Sequence, residues 1–175
     1  LEYRRLGVIH EYLEVLAAEH PEKVKYIPNL GDSHEGNRIP AIEVGGFEGG
    51  PAIVWQGGAH CREWVSHSSI MWMVRHLLET DDPAWLALLR ELKFIIIPVL
   101  NPDGYEWTWA EEGDRLWRKN RTPNAGAPEC PGTDLNRNWD DGHWGMDDNW
   151  CSLLSVRSQC ATAHVARIVL RPHTR

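Results

Sequence analysis

The chain has 175 residues, 42% of them hydrophobic and 25% charged, with a formal net charge of −7, which suits one domain with a buried core. The acidic balance argues against nucleic acid, whose phosphates call for a basic face. No apolar run approaches the roughly 18 residues needed to cross a bilayer, so no membrane partner is expected. The opening Leu1-Glu2-Tyr3-Arg4-Arg5 carries neither an initiator Met nor a charged-then-apolar leader. A fragment, a processed form or a gene model lacking its start is expected.

Leu6, Ile9, Leu13 and Leu16 recur at three- and four-residue steps, predicting an amphipathic helix over 2–19 that Pro21 stops. Short strands are predicted over 24–30 and 39–44, separated by a polar turn beginning Gly31-Asp32-Ser33. Ala52-Ile53-Val54-Trp55 reads as a buried strand running into Gly57-Gly58. Helical spacing returns over 65–78, and again at Trp85, Leu88, Leu89 and Leu92, with Pro83 near the start, where a missing N–H costs little. Phe94-Ile95-Ile96-Ile97-Pro98-Val99 reads as a strand covered on both faces. Strands and helices interleave, which favours an α/β sheet with helices on its faces. Residues 101–145 are rich in Gly, Pro, Asn, Asp and Trp with little periodicity, and so long an irregular stretch inside a compact domain is usually functional.

Three clusters carry chemistry. In Gly58-Ala59-His60-Cys61-Arg62-Glu63-Trp64, His60 and Glu63 are close enough in sequence for one tight turn to aim both side chains at a point. Imidazole and carboxylate are suitable zinc ligands, although such pairs also arise by chance on helices. Asp114-Arg115-Leu116-Trp117-Arg118-Lys119-Asn120-Arg121 reads either as a solvated face or as an anion site, since guanidinium groups grip carboxylates and oxyanions. Asp134-Leu135-Asn136-Arg137-Asn138-Trp139-Asp140 reads either as a hydrogen-bonded turn or as a second Arg/Asn clamp. The tryptophans gathered around these motifs are expected to serve as core and pocket wall.

These motifs, together with Asn101-Pro102-Asp103-Gly104-Tyr105 and the turn from Gly31 to Gly36, stand in the order found in zinc metallocarboxypeptidases of the A/B type, which the chain resembles over about residues 1–145. The resemblance implies a carboxypeptidase-like α/β/α fold: a mixed β-sheet with helices on both faces, incomplete in this chain. It implies secretion, one Zn²⁺ ion, and hydrolysis of C-terminal residues from peptides or proteins with a free C-terminal carboxylate. His60 and Glu63 then match two zinc ligands, and Arg118 the arginine that polarises the scissile carbonyl. Asn136 and Arg137 match the pair that holds the substrate carboxylate, Arg62 a subsite arginine, and Asp134 the aspartate that orients the first histidine. The His₂Glu ligand set is that of carboxypeptidase A, a standard example of an open zinc site, and comes from the resemblance alone.

Cys130 matches half of a family disulfide, with Cys151 the partner expected here although its own surroundings do not match. Cys61 replaces a small residue, and a free thiol beside a ligand is expected to be a liability. The family's second histidine ligand, capping tyrosine and general-base glutamate have no counterpart, and His143, His164 and His173 lie in no matching context. Residues 146–175 are net basic and leave the pattern, so they are expected to form a divergent tail. With the flanking half of the sheet absent, Ile95–Val99 is expected to leave an exposed edge and the chain by itself to be inactive. Two alternatives stand beside the peptidase: a non-catalytic module that binds peptide C-termini, and a zinc amidohydrolase acting on a non-peptide substrate.

Overall fold

The computed structural model describes residues 2–46, 50–124 and 128–137. The proposed division at residue 145, and with it the tail, lies outside them, as do Cys151, His143, His164 and His173. Helix α1 (Leu6–Glu19) buries Leu6, Ile9, Leu13 and Leu16, the apolar stripe of the sequence. Strand β1 (Val24–Ile27) pairs antiparallel with β2 (Ala41–Gly45), Val24 opposite Val44 and Ile27 opposite Ala41. Both strands are shorter than predicted. Pro28 and Pro40 bracket the connection, and neither has an N–H to give the ladder. Between them the chain folds back on itself, Leu30 N donating to Ile39 O at 2.9 Å and Ile39 N to Gly31 O at 3.1 Å.

Strand β3 (Ala52–Gln56) leads through α2 (Trp64–Glu79) and α3 (Pro83–Glu91) to β4 (Lys93–Ile97), parallel to β3. Helix α3 opens as its sequence suggests: the Asp82 carboxylate accepts from Ala84 N at 2.8 Å, and Pro83 occupies the first turn. The sheet order is β1-β2-β4-β3, with β2 and β4 antiparallel, so the sheet is mixed.

Ile42 faces Ile96, and Val44 faces Phe94, across the central pair. These four join Leu13 and Leu16 of α1 and Ile70, Val74, Leu77 and Leu78 of α2 in the main core, with Trp85, Leu88 and Leu89 of α3 packed beside it. The three long helices therefore lie against one face. Ile39, Ala41, Ile97 and Leu100 form a separate cluster, with Val54 and Ala59 against it.

Two expectations are corrected. β4 is no edge strand, because β2 and β3 both pair with it; among the described residues the strands with a single neighbour are β1 and β3, and in β3 Ile53 is 41% exposed. The stretch after Asn101 is also not irregular from its start, since Pro102–Trp107 forms helix α4. The Asn101 side chain caps α4 by accepting from Gly104 N at 3.1 Å, and Pro102 stands in its first turn. That Asn-Pro start signal was legible in the sequence.

His67 of α2 is a buried histidine whose ring nitrogens both lack hydrogen-bond partners among the described residues. The ring stacks on Tyr105 at 4.1 Å between centroids and fills the space above Gly58, whose φ of +64° suits glycine. A Cβ on Gly58 would stand 2.3 Å from His67 Nε2. Burial pushes the His67 pKa down to about 4, against smaller upward pulls from the Trp64 and Glu63 backbones. An unfolded histidine, near 6.5, takes up the proton that the folded one refuses, so acid favours unfolding. Stability is expected to fall as pH drops from about 6.5 to about 4, by up to about 3 kcal/mol. In the whole protein, urea midpoints of wild type and His67→Leu across that range should show a shallower fall in the variant.

Candidate metal and substrate site

The parallel pair β3 and β4 extends its ladder beyond the strands: Gly57 N donates to Ile97 O at 2.8 Å, Leu100 N to Gly57 O at 2.9 Å, and Asn101 N to Gly58 O at 3.1 Å. The turn bearing His60 and the segment bearing Asn101 therefore leave the same end of the sheet side by side. The carboxyl ends of parallel strands are where open α/β sheets build ligand sites.

His60 and Glu63 sit in a tight turn, Glu63 N donating to His60 O at 3.1 Å, and α2 begins at the next residue. His60 Nδ1 stands 3.1 Å from Glu63 Oε1, while Nε2 stands 3.0 Å from Asp134 Oδ1, 74 residues away in sequence. The imidazole is buried and the Glu63 side chain is half exposed. Arg118 joins the group, its Nε donating to Asp134 Oδ2 at 2.8 Å and its NH1 lying 3.5 Å from Glu63 Oε1. Asp134 Oδ1 also accepts from Asn136 N at 3.0 Å, and its backbone carbonyl accepts from Arg137 N at 3.0 Å. One carboxylate thus ties together His60, Arg118 and the 3-10 turn Leu135–Arg137, on which Asn136 and Arg137 stand exposed.

Burial drives the Asp134 pKa up, but the hydrogen bonds from Arg118 and His60 outweigh it and hold the group below its ordinary value. Each ring nitrogen of His60 thus faces a carboxylate oxygen; where Nε2–H is donated to Asp134, a cation shared by Nδ1 and Glu63 would take the place of a proton between them. Among the described residues no three His, Cys, Asp or Glu side chains converge as a metal cage. Arg62 is exposed in the turn between His60 and Glu63, where its carbonyl accepts from Arg115 NH1 at 2.8 Å. The Arg115 guanidinium lies 3.7 Å from the centre of the Trp64 ring, which itself stacks on Trp109 at 4.0 Å. These tryptophans act as the wall behind the turn.

Cys61 departs from expectation. It is fully buried with Leu6, Ile9, Val99 and Tyr105, and its thiol donates to Trp117 O at 2.9 Å. Burial pushes the thiol pKa up to about 12, so almost none is the reactive thiolate at neutral pH. The residue next to His60 is a packing group, not a liability. Cys130 is disulfide-bonded, and Cys61 is free; the pairing expected with Cys151 falls on a residue outside those described.

Two polar anchors, buried Asp103 and partly buried Asn120, are not evident from the sequence alone. Asp103 accepts from the Ser33 hydroxyl, from Asn37 Nδ2 at 2.8 Å and from Glu35 N at 3.0 Å, anchoring the 31–37 turn to α4. Asn120 Oδ1 accepts from Thr133 N at 2.7 Å, joining the Arg118 loop to the Asp134 turn. Both lie inside motifs already singled out, but their partners are distant in sequence.

Replacing Asp134 with Ala leaves a half-buried guanidinium and a buried imidazole without their shared anion, and is expected to cost roughly 3 kcal/mol of stability. Because the folded pKa is depressed, this contribution is present above the ordinary carboxylate range and is lost as pH falls through the folded value. The urea midpoints of wild type and Asp134→Ala should therefore differ at pH 7 and converge below about pH 4.

A family model described as zinc carboxypeptidase matches residues 9–167. Zinc carboxypeptidase A 1 of Anopheles gambiae is 37% identical over 154 residues, which are 86% of this chain and 34% of that protein. Inactive metallocarboxypeptidase ecm14 of Talaromyces marneffei is 37% identical over 146 residues, 78% of this chain and 24% of that protein. Among solved structures, carboxypeptidase A from Helicoverpa armigera superposes with a TM-score of 0.81 at 31% identity, covering 96% of this chain and 42% of that one. The chain spans about a third or less of the length of these curated relatives. With its mixed sheet, helices and ordered motifs, the chain belongs to the zinc carboxypeptidase family.

Proposed function

We propose that the whole protein removes C-terminal residues from peptides or proteins by zinc-dependent hydrolysis, with His60 and Glu63 as two of the protein's ligands to one Zn²⁺ ion. The observation that carries this reading is the pairing of His60 Nε2 with the buried Asp134 carboxylate, which leaves Nδ1 beside Glu63 Oε1 at 3.1 Å. Two ligand atoms bound at about 2.0–2.1 Å to a tetrahedral zinc stand about 3.3 Å apart, so the spacing fits. A half-exposed carboxylate next to a backed imidazole is the chemistry of an open site with room for substrate. When bound, zinc supplies Lewis acidity at a carbonyl.

The chain's own residues do the rest of what this half of the site offers. Asp134 fixes the His60 tautomer. Arg118, held at Nε, offers its NH1 and NH2 groups toward charge developing on the scissile carbonyl oxygen; removing such a donor commonly costs about 10²–10³ in rate. Asn136 and Arg137 grip the terminal carboxylate, and Arg62 contacts residues further from the terminus. The Cys130–Cys151 disulfide and secretion belong to the same reading. Among the described residues, no helix is long and apolar enough to cross a membrane.

A second reading, a non-catalytic binder of peptide C-termini, is favoured by a relative named as inactive. It would use Asn136 and Arg137 but not zinc.

The whole protein, freed of any propeptide, is expected to cleave N-blocked dipeptides and to lose that activity to a chelator. Chelator-insensitive cleavage sinks the zinc reading; carboxylate-dependent peptide binding without cleavage installs the second. Arg137→Ala is expected to cost about 2–5 kcal/mol in kcat/KM, since it breaks a charge pair to the substrate. Esterifying the substrate should add little in that variant, because both changes remove one contact. Residues 1–175 alone are expected to show no turnover, since His60 and Glu63 supply two ligands where a catalytic zinc takes three from protein. Metal analysis and a peptidase assay on that polypeptide check this, and a one-to-one zinc complex with turnover would refute it.

A further inference from the structure

The geometry points to Asn101 as a positioning residue that locks the His60 turn to the Arg118 loop from their backbone side. This rests on the roles proposed above for His60 and Arg118. Asn101 is 2% exposed, and its side-chain amide uses both of its N–H groups: one donates to Ala59 O at 3.2 Å, the other to Lys119 O at 3.0 Å. Ala59 directly precedes His60, and Lys119 directly follows Arg118. The amide oxygen caps α4, and the backbone N–H holds Gly58 O. A single side chain therefore bonds the metal-ligand turn, the arginine loop and a helix start.

The three segments close tightly. A Cβ on Gly104 would meet Cys61 Sγ and Lys119 O at 2.7 Å and Asn101 Nδ2 at 2.9 Å. The Cys61 thiol adds a parallel tie to Trp117 O. Asp134 joins His60 and Arg118 through their side chains, and Asn101 joins the same two segments through their backbones, so neither can shift without the other. Asn101 touches neither the expected cation nor substrate, so it acts through the placement of groups that do. The requirement is strict, because a misplacement of about 1 Å can cost about 10²-fold in rate.

The test is Asn101→Asp in the whole protein. This change keeps an acceptor for Gly104 N but turns a carboxylate oxygen toward two carbonyl oxygens. Amide hydrogen exchange is expected to quicken about tenfold or more in residues 58–63 and 117–120, with β2, β4 and α2 unchanged. Zinc affinity by chelator competition should fall about 10–100-fold, and kcat by a similar factor. KM should stay within about threefold, because Asn136 and Arg137 are held by Asp134. Wild-type exchange in both segments, or a rise spread evenly over the sheet, overturns the proposal. Should Asn101→Asp not fold, Gly104→Ala crowds the same junction, and a wild-type exchange pattern there overturns it equally. If the unmutated protein neither binds zinc nor cleaves peptides, the proposed function fails, and the exchange comparison still decides the clamp.

Discussion

A carboxylate removed from water must be paired, and Asp134 is paired three ways: with His60 Nε2, Arg118 Nε and Asn136 N. Desolvation alone would push such a group toward its neutral form. The guanidinium and imidazole reverse that tendency and keep it anionic. The reciprocal effect is structural, since a buried anion with three directional partners fixes their positions. The ring orientation of His60, the orientation of Arg118 and the start of the turn bearing Asn136 and Arg137 all follow from one side chain.

That carboxylate can act only because the scaffold delivers its partners to one place. The parallel ladder of β3 and β4 continues through Gly57, Gly58, Leu100 and Asn101, so the two loops emerge in register. Behind them Trp64, Tyr105 and Trp109 pack edge-to-face and stacked, with Trp64 Nε1 donating to Thr108 Oγ1 at 2.9 Å. Large aromatic area at this point excludes water from the backbone bonds that hold the turn. Tyr105 also ties α4 to the start of α1, its hydroxyl donating to Arg4 O at 2.5 Å.

His67 and Cys61 show how the same packing disposes of reactive groups. Both lie close to His60 in sequence and carry atoms capable of binding metal. Burial depresses the imidazole pKa and raises that of the thiol, which leaves both neutral at ordinary pH. Neither is placed to act as a ligand, because one ring is stacked on Tyr105 and the thiol is engaged by Trp117 O.

By itself the sequence determined what depends on short range. The apolar steps of α1 and α2, the strand composition of β4 and the proximity of His60 to Glu63 are set within a few residues by helix, strand and turn geometry. Even the start of α4 was written in Asn101 and Pro102, although the glycine-rich stretch after it masked the signal. Tertiary structure alone decided the rest. Nothing local says that β4 sits between β2 and β3, or that Asp134 meets a histidine 74 residues earlier. Nor does the sequence say that the Asn101 amide would find Ala59 and Lys119. Those pairings arise because buried polar groups must find partners once the sheet is assembled, and only the order of its strands settles which partners are within reach.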